Sequence, residues 1–108
     1  MTTAVQNKQQ AFERIAAHQS ALRQFGAARL GLFGSFVRGE QTDESDIDFV
    51  VEFQDGKKKY KNYVHLAYYL QDLMNREVQL VTWEAMAPFV KTEVEKDIEY
   101  AALGYSVS

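Results

Sequence analysis

The hydrophobic positions of this chain follow two spacings, and each spacing predicts a different kind of element. Apolar residues three or four apart predict helices over Gln9 to Phe25, Tyr63 to Met74 and Phe89 to Ala102. Shorter apolar or alternating runs predict strands at Arg29 to Phe33, Ile47 to Phe53 and Glu77 to Val81. This order predicts an α/β (α+β) fold, a small mixed sheet with helices packed mainly on one face.

Length and composition narrow the class of protein without naming a function. With 108 residues, 46% of them hydrophobic, the chain predicts one compact domain over residues 1–108. The absence of cysteine excludes a disulfide scaffold and a thiolate metal site. The net charge of −3 argues against a general nucleic-acid coat and is compatible with a basic protein partner.

The same pattern gives an expectation about the compartment. No apolar run approaches the roughly 20 residues that a membrane-spanning helix needs. The first six residues lack the basic-then-apolar order of a signal peptide. We therefore expect a cytoplasmic protein that does not contact the membrane.

The first candidate for chemistry is a turn after the first predicted strand. A short apolar run ending at Phe33 breaks at Gly34-Ser35, as a strand does where it turns into the N-terminus of a helix. Such a turn presents backbone N–H groups and the Ser35 hydroxyl to an anion. Arg38 lies one turn farther on, where it can donate two hydrogen bonds to phosphate oxygens or form a surface ion pair with Glu40. The segment predicts a phosphate-binding turn.

The second candidate is a pair of acids at the start of the second predicted strand. Ten residues separate Ser35 from Asp46, and the alternation there places Asp46 and Asp48 on the same face of the strand. Two like charges this close cost energy unless a cation or a proton offsets them. Oxygen ligands without His or Cys favour Mg²⁺ over zinc. Mg²⁺ beside a phosphate-binding turn predicts a nucleotide as ligand.

These motifs together resemble those of a known superfamily. Gly34-Ser35, ten residues and then Asp46-Ile47-Asp48 resemble the nucleotidyltransferase signature of the DNA polymerase beta superfamily. Within it, the segments GSFVRGE and SDIDFVV look like those of the minimal nucleotidyltransferases, which act as antitoxins beside HEPN-domain toxins. The resemblance covers nearly all of the chain from about Phe12 onward.

The resemblance implies a fold, an activity and a set of site residues. It implies a nucleotidyltransferase fold that binds Mg²⁺ and ATP and transfers AMP to a tyrosine of a cognate HEPN ribonuclease toxin. Asp46 and Asp48 would be the metal-binding and catalytic residues. The predicted nucleotide-binding residues are Gly34, Ser35, Arg38 and Ser45.

One position departs from the family pattern. Members usually carry a third carboxylate on the strand after the second long helix, in a pattern like V-D-L-V-T, and here Gln79 occupies that position. A glutamine amide oxygen can contact a metal but cannot act as a base. Loss of a general base slows a reaction by about 10²- to 10⁴-fold, so nucleotide binding and catalysis are separate predictions. Glu77, two residues earlier, is a partial substitute to consider.

Other hypotheses stay open at this stage. Gln79 favours a catalytically silent pseudoenzyme antitoxin that neutralises its toxin by binding alone. A small-molecule adenylyltransferase fits less well, because those enzymes usually add a helical domain for which 108 residues leave no room. An RNA-binding module resting on the basic run Lys57 to Lys61 is opposed by the acidic net charge. The sequence leaves open the acceptor, the nucleotide preference and whether the protein is a homo-oligomer.

Overall fold

The computed structural model describes residues 3–104, which form one four-stranded sheet and five helices. The elements in chain order are α1 Lys8–Ala17, α2 Gln19–Gln24, β1 Ala27–Phe33, α3 Ser35–Arg38, β2 Ile47–Phe53, α4 Tyr60–Met74, β3 Val78–Thr82, α5 Pro88–Asp97 and β4 Glu99–Tyr100. A 3₁₀ turn at Trp83–Ala85 links β3 to α5. The predicted domain 1–108 extends past the described residues at both ends.

The sheet is mixed, as the sequence predicts. Its strand order is β3-β2-β1-β4, with β1 antiparallel to both neighbours and β2 parallel to β3. A parallel pair needs a long crossover, and α4 supplies it between β2 and β3. No helix within residues 3–104 has the length and apolar character required to cross a membrane.

The side-chain alternation along β2 gives the sheet two different faces. Ile47, Phe49 and Val51 are fully buried on the first face, in a core shared with α1, α2 and α4. Val50 faces the opposite way, into a smaller cluster with Met86 and with α5. Most helices therefore pack on one face, as predicted, and α5 covers part of the other.

The predicted single helix over Gln9 to Phe25 is divided at His18. This residue leaves helical geometry, with φ −126° and ψ 25°, and separates α1 from α2. His18 Nδ1 lies 2.9 Å from the Arg14 carbonyl oxygen, a bond that requires Nδ1 to carry the proton. The apolar periodicity continues across this break, so the pattern did not indicate it.

The prediction that the closing helix extends to Ala102 is wrong. The helix ends at Asp97, and β4 follows, pairing Tyr100 with Gly31 of β1. Glycine at residue 31 permits the close approach of the segment that leads into β4, since a Cβ there would overlap the side chain of Ile98. Pairing with the free edge of β1 satisfies backbone groups that a helix would otherwise bond internally.

Candidate functional site

The two aspartates lie on the second face of the sheet, where β2 begins. Asp46 immediately precedes β2 and Asp48 is its second residue, so both side chains project on the same side as Val50. Asp48 is half-buried, and its pKa is raised first by burial and then by the negative charge of Asp46. The positive charge of Arg38 opposes this rise. The pair therefore favours a proton or a cation at this position.

Gln79 completes a polar cluster with these two acids. It pairs with Asp48 in the parallel register of β2 and β3, which places the two side chains on one face. Gln79 Nε2 donates a hydrogen bond to Asp46 Oδ2 across 3.1 Å. The structure therefore places Gln79 beside both acids, and its equivalence to a third carboxylate stays a prediction.

Gly34 brings the backbone of the turn against Asp48. Phe33 is the cross-strand partner of Asp48, so the chain turns at Gly34 directly beside this acid. Gly34 has φ 82° and ψ −151°, a conformation that residues with a side chain rarely adopt. A Cβ at residue 34 would overlap Asp48 Oδ2. Glycine is therefore required for both the backbone conformation and the close approach.

Ser35 lies at the start of α3, immediately after this turn. The Gly34 carbonyl oxygen accepts hydrogen bonds from two backbone amides of α3, Val37 N and Arg38 N, both at 3.2 Å. No polar atom of residues 3–104 forms a hydrogen bond with the Ser35 hydroxyl. This hydroxyl is therefore able to donate to a ligand beside Asp48.

The structure places Arg38 in ion pairs. Arg38 Nε lies 3.0 Å from Glu40 Oε1, and Nη1 lies 3.2 Å from Asp97 Oδ2 at the end of α5. These hydrogen bonds, first with Asp97 and then with Glu40, raise the pKa of Arg38 above its usual value. The surface ion pair with Glu40, which the sequence analysis held as an alternative, is present, and Asp97 is a second partner that no local pattern indicated.

Ser45 is engaged within its own loop. Its Oγ accepts a hydrogen bond from the backbone amide of Thr42 at 2.8 Å and lies 3.3 Å from Thr42 Oγ1. This is a turn in which a side chain satisfies a backbone group. The predicted nucleotide contacts of Ser45 and Arg38 remain predictions.

The donor set of the cluster suits a hard divalent cation. Across residues 3–104, no group of three or more His, Asp or Glu side chains is arranged to hold a metal ion. The possible metal ligands of the cluster are oxygen atoms, from the two carboxylates and the amide carbonyl of Gln79. Mg²⁺ prefers such ligands and zinc does not. Burial and the charge of Asp46 raise the pKa of Asp48, so a cation beside Asp48 would stabilise its ionised form. These residues fit a magnesium ion that keeps other ligands from water and phosphate.

Arg76 is a further residue near the site that the sequence analysis did not single out. It follows Asn75, the left-handed residue (φ 50°) that ends α4, and its guanidinium bonds to the loop that carries Ser45. No local sequence signal marks this arginine, because its acceptors are backbone carbonyls distant along the chain. Only the packing of β3 beside β2 brings these groups together.

Sequence comparisons give the relatives of this chain. The family model described as the nucleotidyltransferase domain matches residues 15–101. The chain is 36% identical over 91 residues to a predicted protein adenylyltransferase of Methanocaldococcus jannaschii, covering 82% of this chain and 91% of that protein. It is 33% identical over 87 residues to the protein adenylyltransferase MntA of Thermococcus cleftensis, covering 80% and 87%.

Solved structures with the same fold include a minimal nucleotidyltransferase and toxin–antitoxin complexes. One described as a minimal nucleotidyltransferase superposes with a TM-score of 0.68 at 28% identity, covering 82% of this chain and 93% of that chain. A toxin–antitoxin complex with AMP-PNP gives 0.66 at 24% identity, covering 82% and 70%. A tri-AMPylated HEPN toxin of Shewanella oneidensis with its MNT antitoxin gives 0.53 at 18% identity, covering 79% and 69%. The last two show likeness of fold alone.

Proposed function

This chain belongs to the nucleotidyltransferase domain family, and from that membership we propose that it is an antitoxin that transfers AMP from Mg²⁺-bound ATP to a tyrosine of a HEPN-domain toxin. The observation that carries the proposal is the meeting of Asp46, Asp48 and Gln79 beside the Gly34 turn. The relative named protein adenylyltransferase MntA supports the reaction type. The AMPylated HEPN toxin bound to an MNT antitoxin supports the choice of acceptor.

Asp46 and Asp48 are the residues that would hold Mg²⁺. When bound, this ion neutralises charge on the phosphate oxygens and helps to orient them. Asp48 is held against the Gly34 backbone, so a phosphate at this turn lies next to the acid pair. The Ser35 hydroxyl and the backbone N–H groups of the turn donate to the pyrophosphate as it leaves.

The transfer exchanges one phosphorus–oxygen bond for another. The tyrosine oxygen forms a bond to the α-phosphorus of ATP, and the bond from that phosphorus to the bridging oxygen breaks, releasing pyrophosphate. The tyrosine proton must leave during this exchange. Gln79 has no group that can accept this proton, so the proton passes to water. The rate enhancement then comes from positioning of the reactants and from charge neutralisation. We therefore expect that glutamine at residue 79 slows the transfer of AMP and leaves the affinity for ATP largely intact.

A second candidate is an antitoxin of the same fold that neutralises its partner without modifying it. The Gln79 hydrogen bond to Asp46 favours this alternative, because the amide N–H occupies a carboxylate oxygen that could otherwise face the metal. In this case the toxin is silenced by occlusion. The two candidates share the partner and differ only in the chemistry at the site.

The deciding experiment follows the mass of the partner. The purified protein is incubated with its proposed partner, a HEPN-domain toxin, and with ATP and Mg²⁺. The toxin is then examined by intact mass spectrometry and by a ribonuclease assay. The proposal expects AMP on a toxin tyrosine with wild-type protein and none with the Asp46→Asn, Asp48→Asn double variant. Asp55→Asn, in an exposed turn, is the matched control and should transfer normally.

Each other outcome has a separate meaning. Toxin that is silenced with no added AMP supports the occluding antitoxin and contradicts the transferase. Toxin that is neither modified nor silenced contradicts both candidates. AMP addition that survives the double variant shows that another site carries the reaction.

A further inference from the structure

Arg76 donates all its hydrogen bonds within residues 3–104 to backbone carbonyls. Nη1 lies 2.9 Å from the carbonyl oxygens of Thr42 and Ser45 and 3.2 Å from that of Asp43. Nε lies 3.1 Å from the carbonyl oxygen of Val5. One guanidinium thus ties the loop before β2 to the N-terminal segment of the chain.

The guanidinium also packs on the residue that follows the Gly34-Ser35 turn. Its central carbon lies 5.1 Å from the centroid of the Phe36 ring, within the range of a cation–π contact. Phe36 is buried in the main core, so this contact joins the loop to a fixed point of the fold. Arg76 therefore contacts a neighbour of each motif of the candidate site. These neighbours are Phe36, which follows the Gly34-Ser35 turn, and Ser45, which precedes Asp46.

Three hydrogen bonds join Asp46 and its two neighbours to residues 76–79. The carbonyl before it, Ser45 O, accepts from Arg76. The amide after it, Ile47 N, donates to Glu77 O at 3.0 Å. Its own carboxylate accepts from Gln79. Asp46 precedes β2, so sheet pairing fixes only the side toward Ile47. On the other side, hydrogen bonds with Thr42 hold Ser45 within its loop, and Arg76 ties that loop to β3 through the carbonyl oxygens of both residues.

We propose that Arg76 is the positioning residue that sets the orientation of Asp46 for metal binding. This inference rests on the proposed function, in which Asp46 is a ligand of Mg²⁺. Arginine suits the role because its planar fork offers several donors at fixed angles, whereas a lysine presents one flexible ammonium. Groups that orient a metal ligand from outside typically change metal affinity by about 10- to 100-fold when they are replaced.

The test compares Arg76→Lys with the same substitution at another arginine that donates to a backbone carbonyl, away from the candidate site. Arg14 Nη1 donates to the Leu73 carbonyl at 2.9 Å near the end of α4, so Arg14→Lys is the control. Mg²⁺ is titrated calorimetrically in the presence of α,β-methylene ATP, which resists transfer of AMP. Arg76→Lys is expected to weaken Mg²⁺ binding by about 10-fold or more, and Arg14→Lys to leave it unchanged.

A second measurement reads the position of the loop without any ligand. Hydrogen exchange of the amides from residues 43–47 should be faster in Arg76→Lys than in wild-type protein, and equal to wild type in Arg14→Lys. Equal exchange at these amides, or wild-type Mg²⁺ affinity in a folded Arg76→Lys protein, would overturn the inference. Lost affinity accompanied by an equal loss in Arg14→Lys would overturn it also, because a general loss of stability then explains the effect.

These measurements separate the inference from the proposed function. If wild-type protein binds no Mg²⁺ with the analogue, the proposed function fails, and the exchange rates alone decide whether Arg76 holds the loop. If wild-type protein binds Mg²⁺ and the lysine variant binds it equally well, the proposed function stands and the positioning role fails. Should Arg76→Lys fail to fold, Arg76→Met, which keeps the apolar stem over Phe36, replaces it in both measurements.

Discussion

Gln79 Nε2 donates a hydrogen bond to Asp46 Oδ2, so a neutral amide lies directly beside the acid pair. The amide satisfies one oxygen of Asp46 and adds no charge beside a pair that already disfavours ionisation of Asp48. An aspartate at the same position would repel both neighbours until a cation bound. Glutamine at this position thus avoids a charge repulsion and offers no general base.

The first prediction places a carboxylate at residue 79. Gln79→Asp is expected to raise AMP transfer to the partner by about 10²-fold or more, because a carboxylate can accept the tyrosine proton. Without Mg²⁺ the variant should melt at a lower temperature than wild type, since it loses the hydrogen bond to Asp46 and adds a like charge. Transfer is followed by intact mass of the toxin, and stability by thermal melts in EDTA and in Mg²⁺.

Gln79→Asn is the control for this change, because asparagine has the length of aspartate and no charge. A rate gain in the aspartate variant alone assigns the effect to the carboxylate. Rapid transfer by wild-type protein, with no gain in Gln79→Asp, would show that two carboxylates suffice.

The second prediction concerns Asp48 and pH. The folded-state pKa of Asp48 lies above the ordinary value of 3.8, so the folded protein binds this proton more tightly than the unfolded chain. The contribution of Asp48 to stability therefore falls as pH rises from 3.8 through the folded-state pKa. In EDTA at neutral pH, Asp48→Asn should melt at a higher temperature than wild type, as measured by circular dichroism.

The same variant should lose the response to ligand. Mg²⁺-ATP at about 100 times its Kd would stabilise wild-type protein by roughly 2.7 kcal/mol, and most of this gain should vanish in Asp48→Asn. Asp55→Asn should keep the full response. A variant that melts lower than wild type in EDTA across neutral pH would contradict the assigned cost of ionising Asp48.

The third prediction uses two glycines that differ in their surroundings. Gly34 and Gly39 both have positive φ, at 82° and 73°, but a Cβ at residue 39 would meet nothing within 4 Å. Gly39→Ala should cost about 1–2 kcal/mol of unfolding free energy, from backbone conformation alone. Gly34→Ala should cost about 3 kcal/mol or more, because the methyl group also displaces Asp48. Urea denaturation measures both.

Binding provides a second distinction between these glycines. Gly34→Ala should also abolish most of the Mg²⁺-ATP thermal shift, while Gly39→Ala retains it. Equal effects of the two substitutions on binding would show that the close approach of Gly34 to Asp48 has no role in the site.

The fourth prediction concerns the ion pair between Arg38 and Asp97. If Arg38 turns to the phosphates when ATP binds, it must leave Asp97, so removing that carboxylate favours the bound state. Asp97→Asn should tighten ATP binding by up to about fivefold, the scale expected for an exposed ion pair. Glu93→Gln, which removes a surface pair with Lys96 on the same helix, is the control. Weaker ATP binding in Asp97→Asn would instead mean that Asp97 orients Arg38 for the nucleotide.

The spacing of residues along the chain determined the fold class and most of the helices and strands. The periodicities located the three strands that organise the site, and the motifs at Gly34-Ser35 and Asp46-Ile47-Asp48 identified the family before any coordinates. They succeed because a turn, a strand alternation and a glycine conformation depend on residues close in sequence. The register of β2 and β3 places Gln79 opposite Asp48, and the role of residue 79 stays a prediction.

Only the tertiary structure decided which groups meet around those motifs. Arg76 reaches Thr42 across 34 positions and Arg38 reaches Asp97 across 59, so neither contact has a local sequence signal. The strand β4 formed where periodicity predicted a helix, because the open edge of β1 offers hydrogen-bond partners to Tyr100. Local patterns determine most of the elements and mark the candidate site residues, and long-range packing determines which residues position them.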